Sequence, residues 1–189
     1  MTNNARPETP ALTSKPSIRF VKLTSATLTA LLSKNVDEAS LEVGVPLTAY
    51  FVTDEALRRW RRRLDQITAT PEDARWIAQV AVAEPEGIVI GHAGFHSAPD
   101  EAGMVEVAYS VDPGFRRQGY ARAMLRALLH RAMVEPDVKT VRATIRPDNA
   151  ASLATIAGFD FTEVGEQWDD VDGLEIIFEV SSIDISREL

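Results

Sequence analysis

The residues best suited to chemistry form one string, Arg116-Arg117-Gln118-Gly119-Tyr120-Ala121, just ahead of an apolar-periodic run. A diphosphate needs several donors converging on a small volume. A helix N-terminus supplies unpaired backbone N–H groups and a partial positive charge. Gly119 lets the backbone approach a phosphate closely and admits dihedrals closed to other residues. Ala121 keeps the first turn slim, and Arg116 and Arg117 add charge-assisted hydrogen bonds. Two further groups stand out. Asn149 can cap a short helix, and Ser152 lies one turn along with its hydroxyl on the same side. Glu106 is a carboxylate in a predicted central strand, flanked by Val105 and Val107.

These groups need particular elements to position them. Met104 to Val111 alternates Val105, Val107, Tyr109 and Val111 with Glu106, Ala108 and Ser110, the period of a half-buried strand. After Asp112-Pro113-Gly114, a stripe of Ala121, Met124, Leu125, Leu128 and Ala132 predicts an amphipathic helix. Upstream, Ile18 to Leu23 reads as a strand. Thr24 or Ser25 can cap a helix carrying Leu28, Leu31 and Leu32. Leu41 to Val52 reads as a loop or short helix. Thr53 caps a helix that buries Leu57, Trp60, Leu64 and Ile67. Arg75 to Glu84 and Ile88 to His96 are predicted strands. Downstream come a strand from Val138 to Ile145, a short helix from Asn149 to Ala157, and a hairpin of Phe161 to Trp168 with Leu174 to Val180. The expected fold is one α/β domain: a mixed central sheet of about seven strands with about four flanking helices. Its span is residues 17–181, between tails at 1–16 and 182–189.

The 189 residues carry a net charge of −8, with 45% apolar and 25% charged residues, as in ordinary globular proteins. Cysteine is absent, which removes disulfides, thiolate nucleophiles and cysteine-based zinc sites. This fits a cytoplasmic location. No apolar stretch is long enough to cross a bilayer, so no membrane association is expected. From Pro113 to Val134 there is no acidic residue, whereas Arg116, Arg117, Arg122, Arg126 and Arg131 all fall there. A basic island on an acidic protein points to a small-anion site. Nucleic-acid binding through the island is the rival reading, and the overall acidity argues against it.

The segment Val105 to Leu129 resembles the central motif of the GNAT superfamily, whose loop reads Q/R-x-x-G-x-G/A. Arg116, Gly119 and Ala121 match it, and in look the chain is nearest the ribosomal-protein and small-amine acetyltransferases. The resemblance covers about residues 18 to 180. It implies an acetyl-CoA-dependent N-acetyltransferase acting on a primary amine, either a small molecule or a protein N-terminus, with no metal. Val111, Arg116, Arg117, Gln118, Gly119, Tyr120, Ala121, Asn149 and Ser152 become the cofactor-binding residues. A bulge near the end of the Met104–Val111 strand would splay it from Val138–Ile145 and open a slot for pantetheine. Glu106 resembles the strand carboxylate that many members use as general base. Many members also place a Tyr on the short helix to protonate the leaving thiolate. The matching position here is Ile156, so Ser152, Tyr120 or a water takes that part. Paired subunits are common in the family. The acceptor pocket would be built largely from Thr24 to Ile67. A non-catalytic CoA-binding module on the same fold is the alternative; the missing Tyr favours it and Glu106 opposes it.

Other candidates read as structural. His92 and His96 share a strand face and are expected to be hydrogen-bonded supports. Tyr109, opposite Glu106, is expected in the core. The run Arg58-Arg59-Trp60-Arg61-Arg62-Arg63 could serve as an acidic-substrate or RNA patch, but reads first as a solvated helix face around a buried Trp60. Trp168-Asp169-Asp170 with Asp172 reads as an acidic turn.

Overall fold

The computed structural model describes residues 16–185. Except for Pro16 and residues 182–185, the expected tails lie outside this range. In chain order the elements are β1 (Ser17–Lys22), α1 (Ser25–Leu32), α2 (Val36–Val43), α3 (Asp54–Ala69), β2 (Gln79–Glu84), β3 (Ile88–Phe95) and β4 (Met104–Val111), followed by α4 (Tyr120–Val134), β5 (Thr140–Ile145), α5 (Ala150–Ile156), β6 (Thr162–Asp169) and β7 (Gly173–Ser181). Single 3₁₀ turns occupy Ala49–Val52, Pro71–Arg75 and Pro113–Phe115. Among the described residues no helix is long and apolar enough to cross a membrane.

The fold is a single α/β domain built on a seven-stranded mixed sheet in the order β1-β2-β3-β4-β5-β7-β6. Every neighbouring pair is antiparallel except β4 and β5, which run parallel. That parallel ladder is short, joining Met104–Glu106 to Thr140–Arg142. Beyond it β4 continues on β3 as far as Val111, and β5 continues on β7 as far as Ile145. The sheet therefore opens into a cleft after Glu106, as the sequence predicts. The predicted bulge in β4 is not the cause. The β3–β4 register runs unbroken from Phe95↔Val107 to Gly91↔Val111, and the nearby shift lies in the β2–β3 ladder at Ala81/Val82.

Among the described residues five helices flank the sheet, one more than the sequence pattern suggests. The added one is α2. Its N-cap Asn35 accepts from the Glu38 amide and its αL C-cap is Gly44, but only Ala39 and Val43 are buried along it. Residues 71–75 form a 3₁₀ turn, not the start of β2, because Pro71 opens a turn that Asp73 anchors through its backbone and side chain.

Alternation along β3 and β4 decides what each face meets. On one face α4 lays Met124 against Gly91. On the other, the Trp60 ring of α3 meets His92 at 5.1 Å, with Phe51 stacked on Trp60 at 5.9 Å. Trp60, Phe51, Phe95, Met124, Leu125 and Leu128 are all fully buried. Each such side chain contributes about 1.5–3 kcal/mol on burial, so the sheet is held rigidly from both faces up to the edge of the cleft.

Candidate active site

β4 carries the site because it is paired on one side only beyond Glu106. The His96 amide donates to the Glu106 carbonyl and the Asp112 amide donates to the Ile90 carbonyl, so the even-numbered residues face β3. By the two-residue period, the backbone groups of Val107, Tyr109 and Val111 turn toward β5, which has already diverged. The result is a row of main-chain donors and acceptors along the cleft, the edge that an extended amide-bearing chain can pair with.

At the end of β4, Asp112 caps the 3₁₀ turn by accepting from the Gly114 amide, and Arg116 folds back so that its Nε donates to the Val111 carbonyl at 3.2 Å. Arg117 and Gly119 both take positive φ, at 63° and 85°. Gly119 is the N-cap of α4 and contributes no side-chain cap, and the first turn holds no acid. Among the described residues no side chain caps the leading amides of α4, which lie beside the exposed Arg116, Arg117 and Gln118. Tyr120 packs edge-on against Phe115 at 6.4 Å, and Ala121 follows in the first turn. Asn149 is the N-cap of α5, its Oδ1 accepting from the Ser152 amide at 3.1 Å.

A cavity of about 570 Å³ opens from the cleft toward α3. Glu106, Tyr109, Ser110, Thr144, Ile145 and Ser152 line its inner part. Its outer walls are α3, through Arg59, Arg62, Arg63 and Gln66, and the β6–β7 hairpin, through Gln167, Asp169, Asp172 and Glu175. The loop from Arg116 to Ala121 lies outside this lining, between the end of β4 and the start of α4.

Glu106 lines the cavity from the last rung of the β4–β5 ladder. Its Oε1 accepts from the Thr144 hydroxyl and lies 3.7 Å from His96 Nδ1, and the side chain is 17% exposed. Burial pushes the His96 pKa down, against the pull of Glu106, which leaves this half-exposed ring neutral near pH 7. His92 differs. It is buried and its pKa is pushed down to about 3, by desolvation first and by Arg59 and Arg63 next. Arg59 Nη1 donates to His92 Nε2 at 2.9 Å, which puts the ring proton on Nδ1. His92 is therefore the structural support that the sequence suggests. Tyr109, with its pKa raised to about 12 by burial, packs against the core.

The arginine run departs from its expected role. α3 lies across the cavity, so Arg59, Arg62 and Arg63 line it, with Arg62 exposed at its rim and Arg58 and Arg61 solvated. The acidic turn likewise forms the opposite wall. Its Asp169 Oδ1 accepts from the Val171 and Asp172 amides at 2.7 and 2.8 Å, which holds that carboxyl below its usual range. Thr144 went unnoticed in the sequence, because it meets Glu106 only across two strands distant in the chain.

A family model described as "Acetyltransferase (GNAT) domain" matches residues 19–162. The chain belongs to the GNAT acetyltransferase family. An N-acetyltransferase of Bacillus subtilis strain 168, named YjdG and described as uncharacterized, is 28% identical over 107 residues, covering 57% of this chain and 62% of that relative. The chain thus matches less than two thirds of that relative's length. Among solved structures, a spermidine N-acetyltransferase chimera from Vibrio cholerae and hSSAT aligns with a TM-score of 0.64 and 12% identity, over 92% of this chain and 99% of that one. RimJ of Mycobacterium smegmatis, in complex with CoA-disulfide, aligns at 0.61 and 18% identity, over 89% and 83%. Ribosomal-protein-S5-alanine acetyltransferase of Vibrio fischeri aligns at 0.59 and 16% identity, over 91% and 96%. At these identities the likeness is one of fold.

Proposed function

We propose that this GNAT protein transfers the acetyl group of acetyl-CoA to a primary amine by direct attack, with Glu106 as general base. The placement of Glu106 carries the reading: its half-buried carboxylate sits on the last rung before the cleft and lines the cavity an amine would enter. The uncapped amides of α4 and the basic loop from Arg116 to Gly119 suit the pyrophosphate of CoA. The open edge at Val107 and Tyr109, with the N–H of Val111, suits the amides of its pantetheine arm. No resident metal enters this reading.

In the reaction the amine nitrogen bonds to the thioester carbonyl carbon and the carbon–sulfur bond breaks. The amine proton passes to Glu106, directly or through one water, and the thiolate takes a proton from Ser152 or water. The Thr144 hydroxyl holds the Glu106 carboxylate toward the cavity. Ile156 is buried and has no proton to give, which leaves Ser152 as the hydroxyl of α5 that lines the cavity. An N–H of the open β4 edge, such as that of Val111, suits the developing oxyanion.

The test is thiol release from acetyl-CoA against a panel of primary amines. Turnover on at least one amine, falling steeply in Glu106→Gln, is expected. CoA binding without turnover on a broad panel would turn the reading toward a binding module.

A further inference from the structure

The two walls of the acceptor cavity carry opposite charge. α3 turns Arg59, Arg62, Arg63 and Gln66 to it, at the i, i+3, i+4, i+7 spacing of one helix face. The hairpin and β4 turn Asp169, Asp172, Glu175 and Glu106 to it. The arginines differ in how they are engaged. Arg59 donates to His92 and to Glu55. Arg63 Nη1 donates to Gln66 Oε1 and to the His96 carbonyl, both at 2.8 Å. Arg62 makes no hydrogen bond or ion pair among the described residues. Facing it, Asp169 is held by two backbone amides of its own turn.

We propose that the acceptor amine also carries a carboxylate, which Arg62 binds with Arg63 behind it while the amine sits at Glu106. This rests on the acetyl-transfer reading and names the acceptor class. A free guanidinium at a pocket mouth presents a planar fork that matches a carboxylate in two hydrogen bonds. The Arg63 pKa is pushed down to about 10, by burial first and then by Arg62 and Arg59, with Asp73 pulling the other way. A polycationic amine satisfies the acidic wall but sets its other charges against the arginines. A dianionic phosphate meets Asp169 and Asp172. An amine with one carboxylate complements both walls, and complementarity of this kind sets specificity more than affinity. The carboxylate can belong to a free amino acid or to an acidic residue at a peptide N-terminus.

The experiment uses the full chain with saturating acetyl-CoA and matched acceptors. The pairs are 6-aminohexanoate against hexylamine, and an amidated peptide beginning Ala-Glu against one beginning Ala-Gln, with spermidine beside them. The carboxylated member of at least one pair is expected to show a KM lower by about tenfold; which pair does so identifies the source. Arg62→Glu should invert that order and Arg62→Lys should keep it in part. Arg62 is exposed, so neither change disturbs packing. Calorimetry of each acceptor against CoA-saturated protein separates the two readings. If carboxylated amines bind through Arg62 but no amine is acetylated, the pocket assignment holds and acetyl transfer is wrong. Hexylamine or spermidine used as well as the carboxylated acceptors, or a preference unchanged in Arg62→Glu, would overturn the proposal, as would carboxylated amines that neither bind nor react.

Discussion

The hydroxyl of Thr144 donates to Oε1 of Glu106 across the point where β4 and β5 part. The two residues come from strands whose shared ladder has just ended, at Glu106 opposite Arg142. Thr144 therefore fixes the carboxylate at the one place where it faces the cavity. Glu106→Gln is expected to lower kcat by about 10²- to 10⁴-fold, the usual range for a lost general base, with CoA affinity retained. Thr144→Val leaves the base in place but loosens it, and should cost about 5- to 30-fold through one lost hydrogen bond of about 1–2 kcal/mol. Steady-state kinetics with calorimetric CoA titration checks both. A Glu106→Gln enzyme with full rate across pH removes the base assignment.

Gly119 holds φ at 85°, and a Cβ there would meet Pro16 Cγ at 3.3 Å. A β-branched residue in that conformation carries strain of about 1–3 kcal/mol and crowds the amides at the start of α4. Gly119→Val should lose at least tenfold in CoA affinity, while circular dichroism and the thermal midpoint show a folded domain. Gly119→Ala should fall between. Full affinity in the valine variant would place the pyrophosphate elsewhere.

What the sequence made legible follows from how local each signal is. The loop around Gly119 and the alternation of β4 are complete within a few residues, so the helix start, the strand and the placement of Glu106 could be read directly. α2 has caps but only two buried positions, Ala39 and Val43, with Leu41 out in solvent, which is too thin a stripe to register. The role of the arginine run depends on which way α3 lies across the sheet. Trp60 marks the buried line, but the neighbour of each arginine is supplied by β3 and by a hairpin more than a hundred residues away. The Thr144–Glu106 bond joins two strands and is likewise invisible to local pattern.

Trp60 couples the acceptor wall to stability. It is 1% exposed, stacks on Phe51, and its indole N–H donates to the Phe51 carbonyl at 2.8 Å. Trp60→Ala should cost about 3–5 kcal/mol through lost burial and a cavity. Trp60→Phe keeps much of the packing but leaves that carbonyl without its donor, for about 1–3 kcal/mol. Urea unfolding gives both values. Because α3 sets the cavity wall, the Phe variant should also raise KM for the acceptor more than for acetyl-CoA.

His92 predicts how the fold responds to acid. Folded, its pKa is about 3, through burial and the nearby Arg59 and Arg63. Unfolded, an imidazole protonates near pH 6.5. Between these values the unfolded chain binds a proton that the folded chain does not. This group therefore leaves stability at its maximum above about pH 6.5 and removes it progressively as the pH falls toward 3. The total effect is on the order of a few kcal/mol. His92→Asn keeps an acceptor for Arg59 but cannot titrate. Its thermal midpoint at neutral pH should be lower than that of the wild type, through lost ring packing against Trp60 and Tyr50. Its decline between about pH 7 and 4 should be the shallower of the two. Parallel profiles would mean that His92 becomes protonated in the folded protein without cost, and that the Arg59 contact yields to a charged ring.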